Sequence, residues 1–334
     1  MKLITQRFRS KLSGPYVIYF ASGLNLRNPN QFAGRTITTE DNPLSYTKLR
    51  LSCALVALVA GARAAPAATI YAVNTSNALL RFDSAAPGTT TSVGVSGLQP
   101  GETLEGIDFR PANLMLYGLG STSRIYVINP ATGAATPVGA PGAFVLAGTD
   151  FGFDFNPVPD RIRVTSNADQ NLRLNPGTGA LAATDGTLAY AALDINAGAN
   201  PNIVASAYTN SFAGATSTTL YDIDSNLDIL VTQSPPNAGT LNTVGSLGIN
   251  IGSMAGFDIQ PLSGVAFAAL QTPGSFSSLY TINLNTGAAT LVGAIGSSET
   301  IRGLAVVSDV PEPGSLALLS LGVAGLAFRR WRRR

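Results

Sequence analysis

The sequence predicts an all-β fold, a five-bladed β-propeller closed by pairing its N-terminal strand with the last blade. Three observations carry that expectation. First, a stretch recurs: Arg124–Gly139 reads RIYVINPATGAATPVG and Ser278–Gly293 reads SLYTINLNTGAATLVG. Worn copies lie before and between them. The polar residue ending each first apolar run is Asp83, Asn129, Asn175, Asp224 and Asn283, at spacings of 46, 46, 49 and 59 residues. Periods in this range belong to repeat architectures. Second, each unit reads as about four short strands with no helical stretch, which suits a propeller blade. Third, the two ends of the repeat region complement each other, so the ring can close.

Taken in order, the first strand is Thr69-Ile70-Tyr71-Ala72-Val73, which has no unit of its own. Each unit then opens on an alternating run such as Ile125-Tyr126-Val127-Ile128 or Leu279-Tyr280-Thr281-Ile282. Alternation with Tyr and β-branched residues argues strand. A turn follows, and Thr132-Gly133, Thr178-Gly179 and Thr286-Gly287 supply the residue that tolerates positive φ. A second strand ends in Val-Gly at Val93-Gly94, Val138-Gly139 and Val292-Gly293. A second half-motif comes next: Gly106-Ile107-Asp108-Phe109, Gly152-Phe153-Asp154-Phe155, Leu193-Asp194-Ile195 and Gly256-Phe257-Asp258-Ile259. Another strand follows each. The last copy ends with Gly303-Leu304-Ala305-Val306 and lacks a partner, which Thr69–Val73 would supply. Closure also removes exposed edges, which template aggregation. A β-helix would need shorter coils, and a β-sandwich leaves the repetition unexplained.

The flanks differ from this region. Residues 1–47 are polar and patternless. Lys48 and Arg50 precede the apolar run Leu51–Ala60, and Ala62-Arg63-Ala64 follows as a small-x-small site. That order reads as a signal peptide over residues 48–64, cleaved after Ala62 and Ala64 in the small positions. Residues 1–47 then read as an extension from a start placed too far upstream. At the other end, over residues 309–334, Pro311-Glu312-Pro313 precedes the apolar run Leu316–Phe328 and the basic residues Arg329, Arg330, Arg332, Arg333 and Arg334. A basic end after an apolar run keeps the tail cytoplasmic. Its length, 15 residues from Gly314 to the first Arg, is short for a stable membrane anchor. This segment resembles the PEP-CTERM sorting signal. The resemblance implies recognition by an exosortase, removal of the helix, and delivery to the surface or extracellular matrix of a Gram-negative bacterium.

Residues 65–309 hold seven Arg and no Lys against sixteen Asp and Glu, a balance of −9. An acidic exported domain is a poor partner for nucleic acid, whose phosphates call for basic patches. The single Cys, Cys53, falls in the signal segment, so the domain has no disulfide.

The chain has no His. Ser-His-Asp and Cys-His catalysis, His-based zinc sites and haem ligation through His all fall away together. Carboxylate chemistry, oxygen-ligated metals and plain binding remain. Asp108, Asp154, Asp194 and Asp258 recur in the half-motif, with Ala305 in the fifth copy. They could form a partial carboxylate ring holding Ca²⁺ or a polyol. The structural alternative is that each fixes its blade through hydrogen bonds. Glu102 and Glu105 share a Gly-bearing loop and read as a solvated face. No catalytic residue is assigned. The leading functional expectation is a non-catalytic surface or matrix protein that binds polysaccharide or protein partners. A Ca²⁺-assisted, carboxylate-based hydrolase of sugars or lactones is the alternative, favoured if three or more acids converge in one pocket.

Two further stretches carry a resemblance. Leu98–Pro111 reads LQPGETLEGIDFRP, and Gly152–Val164 reads GFDFNPVPDRIRV with Asn171-Leu172-Arg173-Leu174-Asn175-Pro176 after it. Both look like the bacterial domain-of-unknown-function family 4394, over roughly residues 69–307. That family implies a propeller-like fold and brings no activity.

Overall fold

A computed structural model describes residues 67–308, and these form an all-β ring of five sheets. The first strands are β1 (Thr69–Asn74), β2 (Ala78–Asp83) and β3 (Thr91–Gly94). Blade 2 holds β4 (Leu104–Phe109), β5 (Leu116–Gly120), β6 (Arg124–Ile128) and β7 (Ala135–Val138). Blade 3 holds β8 (Phe151–Asn156), β9 (Arg161–Ser166), β10 (Asn171–Leu174) and β11 (Leu181–Thr184). Blade 4 has five strands, β12 (Ala189–Tyr190), β13 (Ile203–Tyr208), β14 (Leu220–Asp224), β15 (Ile229–Gln233) and β16 (Thr240–Ser246). Blade 5 holds β17 (Ala255–Ile259), β18 (Ala266–Gln271), β19 (Ser277–Ile282) and β20 (Ala289–Ala294). The last strand, β21 (Ile301–Val306), returns to β1 and completes blade 1 in the order β21-β1-β2-β3. Closure is therefore as the sequence predicts: Ile70 pairs with Val306, Ala72 with Leu304 and Val73 with Gly303. The inner strands β4, β8, β13, β17 and β21 each touch the next around the axis.

The recurring motifs have separate mechanical jobs. Asn129, Asn175 and Asn283 accept the amide two residues on at 2.9 Å, which folds the chain into the next turn. The turns close on Gly133, Gly179 and Gly287 with φ of 73°, 66° and 81°. Each of these glycines lies against the preceding blade. A Cβ on Gly133 would sit 2.3 Å from the Gly94 carbonyl, and one on Gly287 2.2 Å from that of Gly245. The Thr-Gly turn and the Val-Gly strand end thus form one joint, made of backbone against backbone.

Apolar packing runs between blades. One cluster joins blades 1 and 2 through Leu79, Leu104 and Tyr126. Others join blades 2 and 3 through Tyr117, Phe153 and Leu172, blades 4 and 5 through Ile223, Phe257 and Leu270, and blades 5 and 1 through Phe267, Leu279 and Leu304. Phe151, Phe153 and Phe155 all pack toward blade 2, as strand alternation predicts.

Blade 4 departs from the expected frame. Leu193-Asp194-Ile195 is not a strand: Leu193 is 100% exposed and Ile195 88%, in the loop between β12 and β13. The inner strand is Ile203–Tyr208 instead. Asp224 consequently ends the second strand of its blade, where Asn129 and Asn175 end the third. It still accepts the amide of Asn226 at 2.8 Å, the same local bond as its supposed equivalents. Shared turn chemistry, on a different strand, is what misaligned the unit. The signal segment with Ala62 and Ala64, and the sorting residues Pro311, Glu312, Pro313, Arg329, Arg330, Arg332, Arg333 and Arg334, lie outside the described residues.

Candidate functional site

Three of the four recurring aspartates meet at the axis. One carboxylate oxygen from each of Asp108, Asp154 and Asp258 lies within 4.8 Å of the other two, and all three residues are buried. The mechanism is the inner-strand register. Asp108, Asp154 and Asp258 pair across their sheets with Tyr117, Arg163 and Phe267. The residues with the same pairing in blades 4 and 1 are Ala207, opposite Tyr221, and Ala305, opposite Tyr71. Asp194 does not join them. It sits in the rim loop, where its carboxylate takes the Thr243 amide at 2.6 Å and hydroxyl at 2.7 Å.

Each axial aspartate bonds the next blade. Asp108 accepts the Phe155 amide at 2.9 Å, Asp154 the Tyr208 amide at 3.2 Å and Asp258 the Val306 amide at 2.5 Å. Asp108 and Asp258 also accept the amides of Phe109 and Ile259. These carboxylates are inter-blade staples. Burial pushes all three up in pKa, and mutual repulsion adds to this at Asp108 and Asp154; Asp258 reaches about 7. Three carboxylate oxygens could face a hard cation, but Ca²⁺ takes 6–8 oxygen ligands, and the Ala207 and Ala305 side chains offer none. Sharing of protons among the three satisfies the same geometry.

Above the staples the channel closes. Gly106, Phe153, Ser206, Phe257 and Leu304 surround a space of only about 10 Å³, room for one water. Beyond it the channel opens into a mouth of about 490 Å³ at the end where the inner strands begin. Its wall includes Glu105, Ser121, Thr149, Asp150, Ser253 and Arg302. Arg302 ion-pairs with Glu105, joining blades 1 and 2, and its Nε has no partner among the described residues. The Thr103 hydroxyl donates to the other oxygen of Glu105 at 2.5 Å. Asp150 accepts from Asn167 at 2.8 Å.

Two sequence expectations change here. Glu102 and Glu105 are buried, not a solvated face. Glu102 accepts from Tyr126, Thr122 and the Gln99 amide. Burial pushes its pKa up, but these hydrogen bonds outweigh it and hold the group below its ordinary value. Asp150, Arg302 and the mouth hydroxyls were not singled out. Arg302 alone carried a signal: it is one of the few cations of an acidic domain and stands next to an inner-strand glycine.

A second polar feature fills the junction of blades 3 and 4. Arg163 is 1% exposed and donates to Tyr208, Asn171, Asp185 and Asn237. Beside it Thr165, Ser206 and Asp222 are linked at 2.7 and 2.6 Å. The second oxygen of Asp222 has no partner among the described residues, and burial pushes the group's pKa to about 7 against the pull of hydrogen bonding and Arg163.

A fold of five four-to-five-stranded sheets about one axis defines a β-propeller with its open site at one end. Residues 78–305 match the profile of a domain of unknown function, DUF4394, and residues 309–334 match the PEP-CTERM protein-sorting motif. The chain belongs to the DUF4394 family. No curated protein matches it. Among solved structures, it is similar to a protein of unknown function from Bacteroides thetaiotaomicron at 16% identity and a TM-score of 0.42, over 74% of this chain and 63% of that one. TolB from Acinetobacter baumannii matches at 11% and 0.40, over 79% and 62%. Dihydro-heme d1 dehydrogenase NirN matches at 11% and 0.35, over 68% of this chain and 44% of its own. The chain thus spans less than two thirds of each of these proteins, and their functions stay with them.

Proposed function

We propose that this exported propeller is a non-catalytic binding module whose channel mouth takes polar groups of an exopolysaccharide or of a protein at the cell surface or in the extracellular matrix. The PEP-CTERM motif indicates an exported protein processed by an exosortase. A signal peptide at residues 48–64, passage through the inner membrane and release from the tail complete the proposed route. The observation that carries the binding reading is the mouth itself. Its volume is in the range of small-ligand sites, and hydroxyls of Ser121, Thr149 and Ser253 stand beside Glu105, Asp150 and Arg302. Such a lining suits a hydroxyl-rich partner.

The alternative, a Ca²⁺-assisted hydrolase, draws on the convergence of Asp108, Asp154 and Asp258. Against it, a glycosidase needs two carboxylates facing a substrate, and these three are buried and bonded to backbone amides. Binding of the purified protein to a polysaccharide array, with and without chelator, tests both. A Ser253→Trp variant, which fills the mouth, is expected to weaken binding at least tenfold at unchanged melting temperature. Undiminished binding would sink the mouth reading, and chelator-sensitive sugar release would favour the hydrolase.

A further inference from the structure

We propose that the face opposite the mouth rests on the lipid surface of the membrane while the chain is held by its tail. The five inner strands run the same way, as their equivalent staples require, so the turns that follow them all open on one face. From blades 2 to 5 these turns expose Leu114 and Met115, Val158, Phe212 and Leu262. They are 38–56% exposed; the loops at the other end expose Val145, Leu193, Ile195 and Phe276. Apolar side chains exposed at the same turn of four successive blades mark an interaction surface.

Leu114 makes the case more pointed. It holds φ 59°, a left-handed conformation that is costly for a leucine. The matching turns of blades 3 and 5 use Asp160 at φ 51° and Gly264 at φ 69°, residues suited to that conformation. Turn formation therefore gives no reason for an exposed leucine there.

The occupant follows from where the described chain stops. β21 is an inner strand, so Ser308 leaves from this same face. The apolar run begins at Leu316, and the seven residues between, 309–315, can span at most about 25 Å. With that run in the bilayer, the apolar turn tips are held beside the headgroups. Charge agrees. Glu105, Asp150, Asp169, Asp228 and Glu299 lie toward the mouth end, whereas among the described acids the turn face holds Asp83 and Asp160. Asp160 is paired with Arg110, and Arg161 stands beside it. An acidic domain thus turns its least acidic end to an anionic surface.

The test uses the full chain with Cys53→Ala, reconstituted into phosphatidylethanolamine and phosphatidylglycerol vesicles. Leu262→Cys, or Phe276→Cys as the opposite-face control, carries a polarity-sensitive fluorophore. The expected result is a blue shift and at least twofold quenching by spin-labelled lipid at position 262 and neither at 276. Adding Leu114→Ser, Met115→Ser and Val158→Ser, all at exposed sites, is expected to abolish the shift. Aqueous emission at both positions overturns the proposal, as does failure of the chain to float with the vesicles. A blue shift at 262 that grows with protein concentration without lipid identifies a second copy as the occupant and overturns it too. None of these readouts involves the mouth, so failure here leaves the proposed binding function standing.

Discussion

At the scale of single residues, the axial aspartates behave unlike ordinary surface carboxylates. Burial raises Asp258 and Asp222 to about 7 and raises Asp108 and Asp154 as well. A carboxyl whose folded pKa lies above its unfolded value of about 3.9 stabilises the fold fully below that value. It loses the contribution as pH rises through the folded pKa. The melting temperature should therefore fall by a few °C between pH 5 and pH 8, at roughly 2–4 °C per kcal/mol for a domain of this size. Glu102 and Asp194, with depressed pKa values, act in a lower window and do not mask this. Thermal melts across that range, with and without CaCl₂, read it directly. A melting temperature that rises with pH would refute the neutral-acid account, and Ca²⁺ rescue confined to high pH would replace shared protons with a cation. Recurrence made Asp108, Asp154 and Asp258 visible in the sequence. Their partners were not, because each bonds an amide of a different blade, about 50 residues away.

At the scale of the strand, the Gly-x-Asp pattern is a pair of packing instructions. Aspartate supplies the staple, and glycine two residues before it lets neighbouring inner strands meet near the axis. A Cβ on Gly256 would lie 2.7 Å from the Leu304 nitrogen, and one on Gly106 2.6 Å from the Phe153 Cβ. Backbone atoms cannot step aside as a flexible side chain does. Gly256→Ala should cost about 1–3 kcal/mol, the usual range for overpacking, as measured by denaturant titration; a loss under roughly 0.5 kcal/mol would show that the ring has slack. The outer-strand alternation and the Thr-Gly turns could be read directly, since they depend on neighbours in sequence. The slip in blade 4 came from the same source: Asp224 copies the turn bond of Asn129, and local chemistry cannot report which strand of the blade precedes it.

At the scale of the whole ring, the junctions are unequal. Apolar clusters cross from blade 1 to 2, 2 to 3, 4 to 5 and 5 to 1. Between blades 3 and 4 the described contacts are polar: the Asp154 staple, the Arg163 network and the Thr165–Ser206–Asp222 chain. Removing one partner of a buried pair leaves the others uncompensated, at about 3–5 kcal/mol. Arg163→Met should cost that much, and hydrogen exchange should quicken first in β9 and β13. Uniform exchange across all five blades would show that this junction is no weaker than the rest. An arginine on a strand is ordinarily exposed, and only the approach of Tyr208 and Asn237 from the next blade puts Arg163 inside.

The amino-acid sequence alone determined the all-β class, the repeat, the closure by Thr69–Val73, the absence of histidine chemistry and the sorting tail. Each is written in residue type, local period or order along the chain, which need no third dimension. The tertiary structure alone decided that three aspartates meet while Asp194 stays at the rim, that Glu102 and Glu105 are buried, and that Arg302 and Asp150 line one mouth. Those facts depend on how strands from different blades converge on an axis, and convergence is set by inter-blade packing and register rather than by any local pattern.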